Sequence, residues 1–218
     1  MKDMLISDKY NFIFIHIYKN AGSSITNALI PFVGNGAQRF ANKVLLRFDN
    51  WVNVNKFHKF LAPRPYAHHI KAKELVDEIG FETFNKYFSF AIVRNPWDWQ
   101  VSLYKYMLKE PMHFQHKLIK SLGSFEKYIE WRCKKEVRLQ KNFVCSADGK
   151  LLVDYIGRYE NLDYDFKKIC KRIGIETNLQ KLNISNTRAY QKYYNKKTIE
   201  MVRGAFAADI DYFDYSFE

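Results

Sequence analysis

The sequence has few of the residues that mark disulfide-rich or metal-binding proteins. Its three cysteines, Cys133, Cys145 and Cys170, are widely spaced and odd in number. No CxxC pair or Cys/His cluster has the spacing of a zinc site, so a disulfide framework and a structural metal are not expected. We predict free buried thiols, as in a reducing compartment, and no bound metal.

Long apolar runs are also missing. None approaches the roughly 18 residues that a membrane span needs. The N-terminal segment MKDMLISDKY has no apolar core of the kind that a signal peptide carries. We therefore expect no transmembrane segment in this sequence and a cytoplasmic location.

Acidic residues are scarce relative to basic ones. Asp and Glu number 23 against 35 Lys and Arg, which leaves a net charge of +12. This balance favours acidic partners: nucleic acid, anionic lipid, a nucleotide, or a sulfated or phosphorylated glycan. The basic residues form scattered pairs and no long block, as is typical of solvated helix faces, so no nucleic-acid partner is expected.

The sequence is rich in hydrophobic and aromatic residues that can form a folded core. Hydrophobic residues make up 47% of the chain and aromatic residues 17%, which argues against disorder. Because the chain has 218 residues and no internal repeat, we predict one domain over residues 1–218. Residues 34–66 show weak periodicity and end in a Pro-rich break, so we interpret them as an excursion from the core.

Two segments share a strand–loop–helix pattern. FIFIHIYKNAGSSITNALI begins with an apolar run at residues 12–17, and YFSFAIVRNPWDWQVSLYKYML has a similar run at residues 88–93. Such runs are typical of parallel strands covered on both faces. Two of these units with helix between them predict an α/β fold with a mainly parallel sheet flanked by helices. We also predict a hairpin or strand pair around Asp148-Gly149.

The first polar loop, residues 18–24, follows the carboxyl end of its strand, where ligands bind in open α/β sheets. Gly22 permits close backbone approach, and Lys19 adds a positive charge. The amides of Gly22, Ser23 and Ser24 lie at a helix start and are suited to an anion. The loop differs from the nucleoside-triphosphate pattern GxxxxGK[ST], because its lysine precedes its only glycine. A plain strand-to-helix turn is the alternative.

The second polar loop combines charge with capping signals. Arg94 ends a buried strand, where a charged side chain needs a partner. Asn95 can cap the next helix, Pro96 suits its first turn, and Asp98 completes a capping-box-like pair. Ser102 lies about two helical turns further on, so its hydroxyl and the Arg94 guanidinium suit a second phosphate. The alternative is that Arg94 only pairs with Asp98.

These two loops carry a family resemblance. FIHIYKNAGSSI together with FAIVRNPWDWQVSLY resembles the two cofactor motifs of sulfotransferases. The similarity is closer to the carbohydrate branch (sulfotransferase family 2 type), whose loops look like FIHIPKTAGTS and VRNPxDRxxSxY. It continues in HIKAKEL, LLVDYIGRYENL and DIDYFDYSFE, and is weak over residues 34–66 and 109–140. The sequence departs from the family at Tyr18, Asn20 and Trp99, where proline, threonine and arginine are usual.

The resemblance implies a P-loop-like three-layer α/β sandwich and a sulfotransferase. Such an enzyme moves a sulfuryl group from 3′-phosphoadenosine-5′-phosphosulfate (PAPS) to a hydroxyl, here expected on a carbohydrate, without a metal. Arg94 and Ser102 match the pair that binds the 3′-phosphate, and Arg188 is a further expected contact there or at the adenine. Lys19 is expected near the oxygen that bridges phosphorus and sulfur. The residues matching the loop around the 5′-phosphosulfate are Lys19, Ala21, Gly22, Ser23 and Ser24.

The acceptor hydroxyl needs a general base, and histidine titrates in a suitable range. His16 lies within the first strand, where a buried core histidine is expected. His69 matches the histidine of the family's HxxAKEL-like pattern and precedes a helix, so we predict His69 as the base and His68 as the reserve. A helix-capping or solvated pair is the alternative for both. The candidates are His16, His58, His68, His69, His113 and His116.

Two other functions are open at this stage. A P-loop-like nucleotide kinase or NTPase would use the same kind of sheet, although the loop lacks the GK[ST] junction and a carboxylate for Mg²⁺. A basic nucleic-acid-binding module would lose affinity steeply with salt. The acceptor's identity and the oligomeric state are not specified by the sequence. Trp51, Phe57 and Phe60 are the expected acceptor-facing residues, with ordinary loop packing as the alternative.

Overall fold

A computed structural model of the protein describes residues 5–34, 69–179 and 190–217. Short 3-10 helices lie at Ile30–Phe32, Tyr159–Asn161 and Tyr190–Tyr193. The strands are β1 (Leu5–Ser7), β2 (Phe12–Ile15), β3 (Phe88–Val93) and β4 (Tyr155–Arg158). The α-helices are α1 (Gly22–Leu29), α2 (Ala72–Ile79), α3 (Phe81–Phe84), α4 (Pro96–Lys109), α5 (His116–Leu122), α6 (Phe125–Lys135), α7 (Lys141–Val144), α8 (Leu162–Ile173), α9 (Lys196–Ala205) and α10 (Ala207–Phe213).

The strands form one sheet in the order β1-β2-β3-β4. The β2–β3 and β3–β4 pairs are parallel, and β1 runs antiparallel to β2. The predicted α/β fold with a mainly parallel sheet flanked by helices is therefore confirmed. The strand predicted at residues 88–93 has those bounds, whereas the strand predicted at residues 12–17 ends at Ile15.

Both faces of the central strands are buried, which explains their continuous apolar sequence. Because side chains alternate along a strand, Phe14 and Phe90 share one face, and their rings stack with centroids 5.1 Å apart. That face belongs to a core cluster with residues of α1 and α8, such as Leu29 and Ile169. The intervening side chains are buried as well: Ile13, Ile15, Ala91 and Val93.

The hairpin predicted around Asp148-Gly149 is only partly present. A single antiparallel bridge joins Cys145 to Leu151, and Gly149 takes the left-handed backbone of a tight turn with φ 85°. The residues that follow form β4, which pairs in parallel with β3 and extends the sheet. The segment Tyr155–Arg158 therefore forms part of the main sheet and does not lengthen the hairpin.

The chain divides into two compact units. Unit 1 comprises Met1–Val93 and Asn142–Asn183 and contains the sheet with α1, α2, α3 and α8. Unit 2 comprises Arg94–Lys141 and Ile184–Glu218 and contains α4, α5, α6, α9 and α10. In unit 2 the ring of Phe217 meets those of Trp97, Tyr190 and Tyr194 edge-on at 5.4–5.6 Å. These rings are packed against one another and form an aromatic core.

The cysteines within the described residues are free, with Cys145 and Cys170 buried and Cys133 half-buried. Burial raises the pKa of the Cys133 and Cys170 thiols to about 11, so both stay protonated at neutral pH. The prediction of free thiols is confirmed, and that of burial holds for two of the three. No helix within the described residues is long and apolar enough to cross a membrane.

Candidate active site

The loop between β2 and α1 has an unusual backbone. Lys19 and Ala21 both take left-handed conformations, with φ of 65° and 60°. A left-handed backbone costs an L-residue about 1–2 kcal/mol, so the surrounding structure has to hold this loop in place. Asn20 lies between the two and is 1% exposed, and its Nδ2 donates a 2.8 Å hydrogen bond to the carbonyl oxygen of Ile92 in β3. This buried bond ties the loop to the sheet.

The helix that follows presents free amides at its N-terminus. Ala21 is the N-cap residue of α1, and no side chain caps the helix. The first backbone bond into the helix runs from Ile25 N to Ala21 O at 3.1 Å. The amides of Gly22, Ser23 and Ser24 precede it, and none of them has an acceptor within the described part of the chain. These N–H groups and the helix dipole together favour an anion.

Gly22 is needed for a steric reason that the sequence did not reveal. It lies inside α1, and the left-handed residues of the loop are Lys19 and Ala21. A Cβ built on Gly22 would lie 1.6 Å from Nε2 of His16. Only glycine therefore allows the His16 ring to lie against the start of the helix. His16 itself is 7% exposed and stacks on Phe14, as expected for a core histidine.

His69 lies beside the same loop in unit 1. Its Nδ1 is 3.0 Å from the carbonyl oxygen of His16, and the two imidazole centroids are 4.7 Å apart. A carbonyl oxygen only accepts, so in this hydrogen bond Nδ1 carries the proton and Nε2 holds the lone pair. The His69 side chain is exposed. This tautomer has the form that a general base requires.

Tyr18 and Asn20, the two departures from the family's first motif, both have structural contacts. The Tyr18 ring meets His69 and Phe143 edge-on, at 5.7 Å from each. It therefore restricts where the His69 imidazole can lie. Asn20 provides the buried bond to Ile92. The substitutions thus support the loop and its neighbouring histidine.

Arg94, at the start of unit 2, is buried and ion-paired. Its Nε donates to Asp98 Oδ2 at 2.7 Å, and the residue is 1% exposed. Asn95 caps α4 by accepting a 3.1 Å bond from Trp97 N, as predicted. The predicted capping-box role of Asp98 is wrong, because its carboxylate pairs with Arg94 instead. Ser102 is 5% exposed, further along the same helix.

The backbone of Arg94 is held by a brace of two residues distant in sequence. The Gln140 side chain accepts from Arg94 N at 2.9 Å and donates to Arg94 O at 2.7 Å. The Asp209 carboxylate accepts from the backbone N–H groups of Gln140 and Lys141, both at 2.8 Å. Burial raises the pKa of Asp209 to about 6, although the two backbone bonds oppose that shift.

Several other candidate residues are placed elsewhere or lie outside the described residues. In unit 2, His113 Nδ1 accepts from Gln115 N, and His116 Nδ1 lies 2.9 Å from Met107 O. Both rings thus bond backbone groups within unit 2. No group of three potential metal ligands occurs within residues 5–34, 69–179 and 190–217. The candidates outside the described residues are His58, His68, Arg188, Trp51, Phe57 and Phe60.

The geometry of unit 1 defines a compact chemical arrangement. Three features belong to one strand–loop–helix junction and its immediate contacts. They are a helix start with amides suited to an anion, a lysine in the preceding loop, and an exposed imidazole with its lone pair on Nε2. Such a set can bind a phosphate or sulfate group and accept a proton from a hydroxyl.

Comparison with known proteins agrees with the motifs. The model of the sulfotransferase family matches residues 2–216, nearly the whole chain. The chain therefore belongs to the sulfotransferase family, as the two loops predicted. It is also 30% identical over 123 residues to an uncharacterized protein of Archaeoglobus fulgidus, a match that spans 53% of this chain and 92% of that protein. Family membership supports sulfuryl transfer over the kinase and nucleic-acid-binding alternatives.

Proposed function

We propose that this protein transfers a sulfuryl group from PAPS to a hydroxyl of a carbohydrate acceptor, on a P-loop-like three-layer framework in the cytoplasm. The observation that carries the proposal is the N-terminus of α1. Three amides of its first turn have no acceptor within the described part of the chain, and the exposed His69 contacts Tyr18 and His16 of the adjoining loop. Membership of the sulfotransferase family gives that anion site its expected ligand.

PAPS would supply an activated sulfuryl group on its 5′-phosphate. The amides of Gly22, Ser23 and Ser24 and the two serine hydroxyls fit an anion of this kind by their donor chemistry. Lys19, in the loop before the helix, would neutralise charge that develops on the oxygen bridging phosphorus and sulfur. Positioning and charge stabilisation of this sort provide most of the catalysis in the related phosphoryl transfers.

We assign Arg94 and Ser102 to the 3′-phosphate, with Arg188 as a further contact, on the strength of the second motif. The Arg94–Asp98 pair fixes the plane of the guanidinium through Nε. Because Arg94 is 1% exposed, a phosphate reaches it only if the groups that cover it move. Binding of the 3′-phosphate can therefore be tested separately from binding of the 5′-phosphosulfate, with Arg94→Ala for the first and Lys19→Ala for the second.

We assign His69 as the base for the acceptor, with His68 as the reserve. In the transfer, the acceptor oxygen forms a bond to sulfur as the bond from sulfur to the bridging oxygen breaks. His69 Nε2 takes the hydroxyl proton, and 3′-phosphoadenosine 5′-phosphate leaves. The Nδ1 bond to the His16 carbonyl keeps the lone pair on Nε2 and would stabilise the imidazolium that forms.

The test is transfer of labelled sulfate from PAPS to a panel of glycans. The wild type should label at least one glycan, and His69→Ala should lose about 100-fold or more in turnover while binding 3′-phosphoadenosine 5′-phosphate as the wild type does. His113→Ala is the matched control and should keep full turnover. If His69→Ala turned over normally, the role would move to His68 or elsewhere. If no glycan were labelled, the carbohydrate acceptor would be the part of the proposal that fails.

A further inference from the structure

The two most exposed large hydrophobic residues in the described part of the chain lie in one turn of unit 2. Met112 is 95% exposed and Phe114 is 77% exposed, in the turn between α4 and α5. Leu118 on α5 is 41% exposed and Tyr106 on α4 is 39% exposed. We call these four residues the apolar patch. Single exposed hydrophobic residues are ordinary, but two on one turn with two more on the helices that it joins mark an interaction surface.

The turn holds these side chains outward by a series of backbone hydrogen bonds. Glu110 N donates to Tyr106 O at 3.0 Å, His113 N donates to Glu110 O at 2.9 Å, and His116 N donates to His113 O at 2.9 Å. The His113 ring also stacks on Phe114, with centroids 4.7 Å apart, and meets Tyr106 edge-on at 5.6 Å. The exposure of the patch is therefore a feature of ordered structure, and its aromatic rings are continuous.

The patch is surrounded by positive charge. Lys109 at the end of α4 and Lys117 and Lys120 on α5 are all exposed. On α5 the buried residue is Ile119, so Lys117, Leu118 and Lys120 point away from the core on the outer arc of the helix.

The acidic groups near the patch offset only part of this charge. Glu136 is engaged by Arg138 at 2.5 Å and by the side chain of Gln115. Glu110, in the turn itself, is a second carboxylate and offsets part of the lysine charge. The surface thus combines an apolar tip with a cationic rim.

We propose that the apolar patch inserts into the interface of an anionic bilayer, with the three lysines on the lipid headgroups. Exposed apolar side chains flanked by Lys are the combination that holds a peripheral protein at such a surface. Apolar burial and headgroup attraction are each weak, so the binding is reversible and requires both. The three lysines favour an anionic bilayer over a neutral one, because neutral headgroups would give them no opposite charge to contact.

A second copy of the chain fits this surface poorly. A symmetric contact would bring two lysine-rimmed surfaces together, and like charges repel. Four partly exposed side chains also bury far less than the roughly 1,200 Å² of a stable interface. The cationic rim and the small area together favour a lipid surface over self-association.

Vesicle sedimentation with the full chain tests the proposal. The wild type should bind vesicles made of equal parts phosphatidylcholine and phosphatidylglycerol and should bind pure phosphatidylcholine at least about tenfold more weakly. Met112→Ser with Phe114→Ser should lower the partition coefficient by about tenfold or more. Lys117→Glu and Lys120→Glu should each lower it about fivefold, and added salt should weaken wild-type binding.

The matched controls carry similar changes elsewhere on the surface. Phe81→Ser removes an aromatic residue that is 55% exposed, and Lys168→Glu reverses a charge on α8. Both should bind vesicles as the wild type does, and circular dichroism should be unchanged for every variant. No binding by the wild type, or binding that the Met112 and Phe114 changes leave intact, would overturn the proposal. A Phe114-dependent dimer in light scattering without vesicle binding would replace it with self-association.

Discussion

The chain passes from strand to helix at two polar junctions that the sequence predicts to be alike, and they are built differently. Before α1, Lys19 and Ala21 are left-handed and no side chain caps the helix. At α4, Asn95 caps the helix, and Arg94 pairs with Asp98. The first junction leaves its helix amides for an anion, whereas the second pairs its arginine with Asp98 and caps its helix with Asn95.

This difference indicates that the two motifs have different roles. The loop before α1 costs backbone strain and exposes donors, which is typical of a segment that a bound anion stabilises. The start of α4 is braced by Gln140 and Asp209, so its arginine is held in place before any ligand arrives. We expect the chemistry to depend on the first junction and the stability of unit 2 to depend on the second.

The largest effect on stability is expected from Asp98→Ala, which breaks the second junction. It removes the carboxylate that pairs with the buried Arg94 guanidinium, which should lower the free energy of unfolding by about 3–5 kcal/mol. Urea denaturation measures the change. Asp77→Ala is the control, because it breaks an ion pair with Lys73 that has the same i,i+4 spacing and a distance of 2.6 Å. The side chains of this pair, Lys73 and Asp77, are 49% and 59% exposed. That loss should be only about 0.3–0.5 kcal/mol, and equal losses would contradict the account.

The brace behind the second junction predicts a pH dependence. The pKa of Asp209 in the folded protein, about 6, lies above its ordinary value of 3.8, so the folded state binds this proton more tightly than the unfolded state. The Asp209 contribution therefore favours folding below about pH 4 and is lost as the pH rises through about 6. It amounts to up to about 3 kcal/mol.

Urea denaturation of the wild type and Asp209→Asn between these pH values isolates that contribution, because the other carboxylates are common to both proteins. The wild type should lose more stability than the variant as the pH rises through this range. Parallel pH profiles for the two proteins would mean that Asp209 does not bind a proton in the folded state near pH 6.

Gly22→Ala tests the first junction. The added Cβ would overlap Nε2 of His16 at 1.6 Å, so either the ring or the helix start has to move. A displacement of this size should cost about 100-fold in sulfuryl transfer. Gly204→Ala is the control, since nothing lies within 4 Å of a Cβ at that site in α9, and it should keep full activity. Full activity in the Gly22 variant would show that the His16 contact is unimportant.

Asn20→Ala should have the smallest effect. Loss of the 2.8 Å bond leaves the Ile92 carbonyl oxygen without this donor and should destabilise the protein by about 1–2 kcal/mol. Thr177→Ala removes a bond of 3.5 Å to the Ala28 carbonyl, which is too long to contribute much, and should be close to neutral in the same thermal or urea measurement. If the two changes cost the same, the loop is not held by Asn20.

The parts of the fold and site that the sequence predicted are those with local signals. The strand β3 and the Asn95 cap each depend on residues that are adjacent in sequence, and both are present. The Arg94 brace could not be predicted, because Gln140 lies 46 residues away in sequence and Asp209 a further 69. The same holds for the role of Gly22, which depends on the direction of the His16 side chain.

We expect the open junction before α1 to bind the 5′ end of the sulfuryl donor. The decisive experiment is calorimetric titration with 3′-phosphoadenosine 5′-phosphate, with wild type, Lys19→Ala and Arg94→Ala compared under one salt condition. The wild type should bind, Lys19→Ala should bind much more weakly, and Arg94→Ala should show a separate loss because Arg94 is assigned to the 3′-phosphate. Absence of wild-type binding at millimolar ligand, or equal binding by Lys19→Ala, would contradict it.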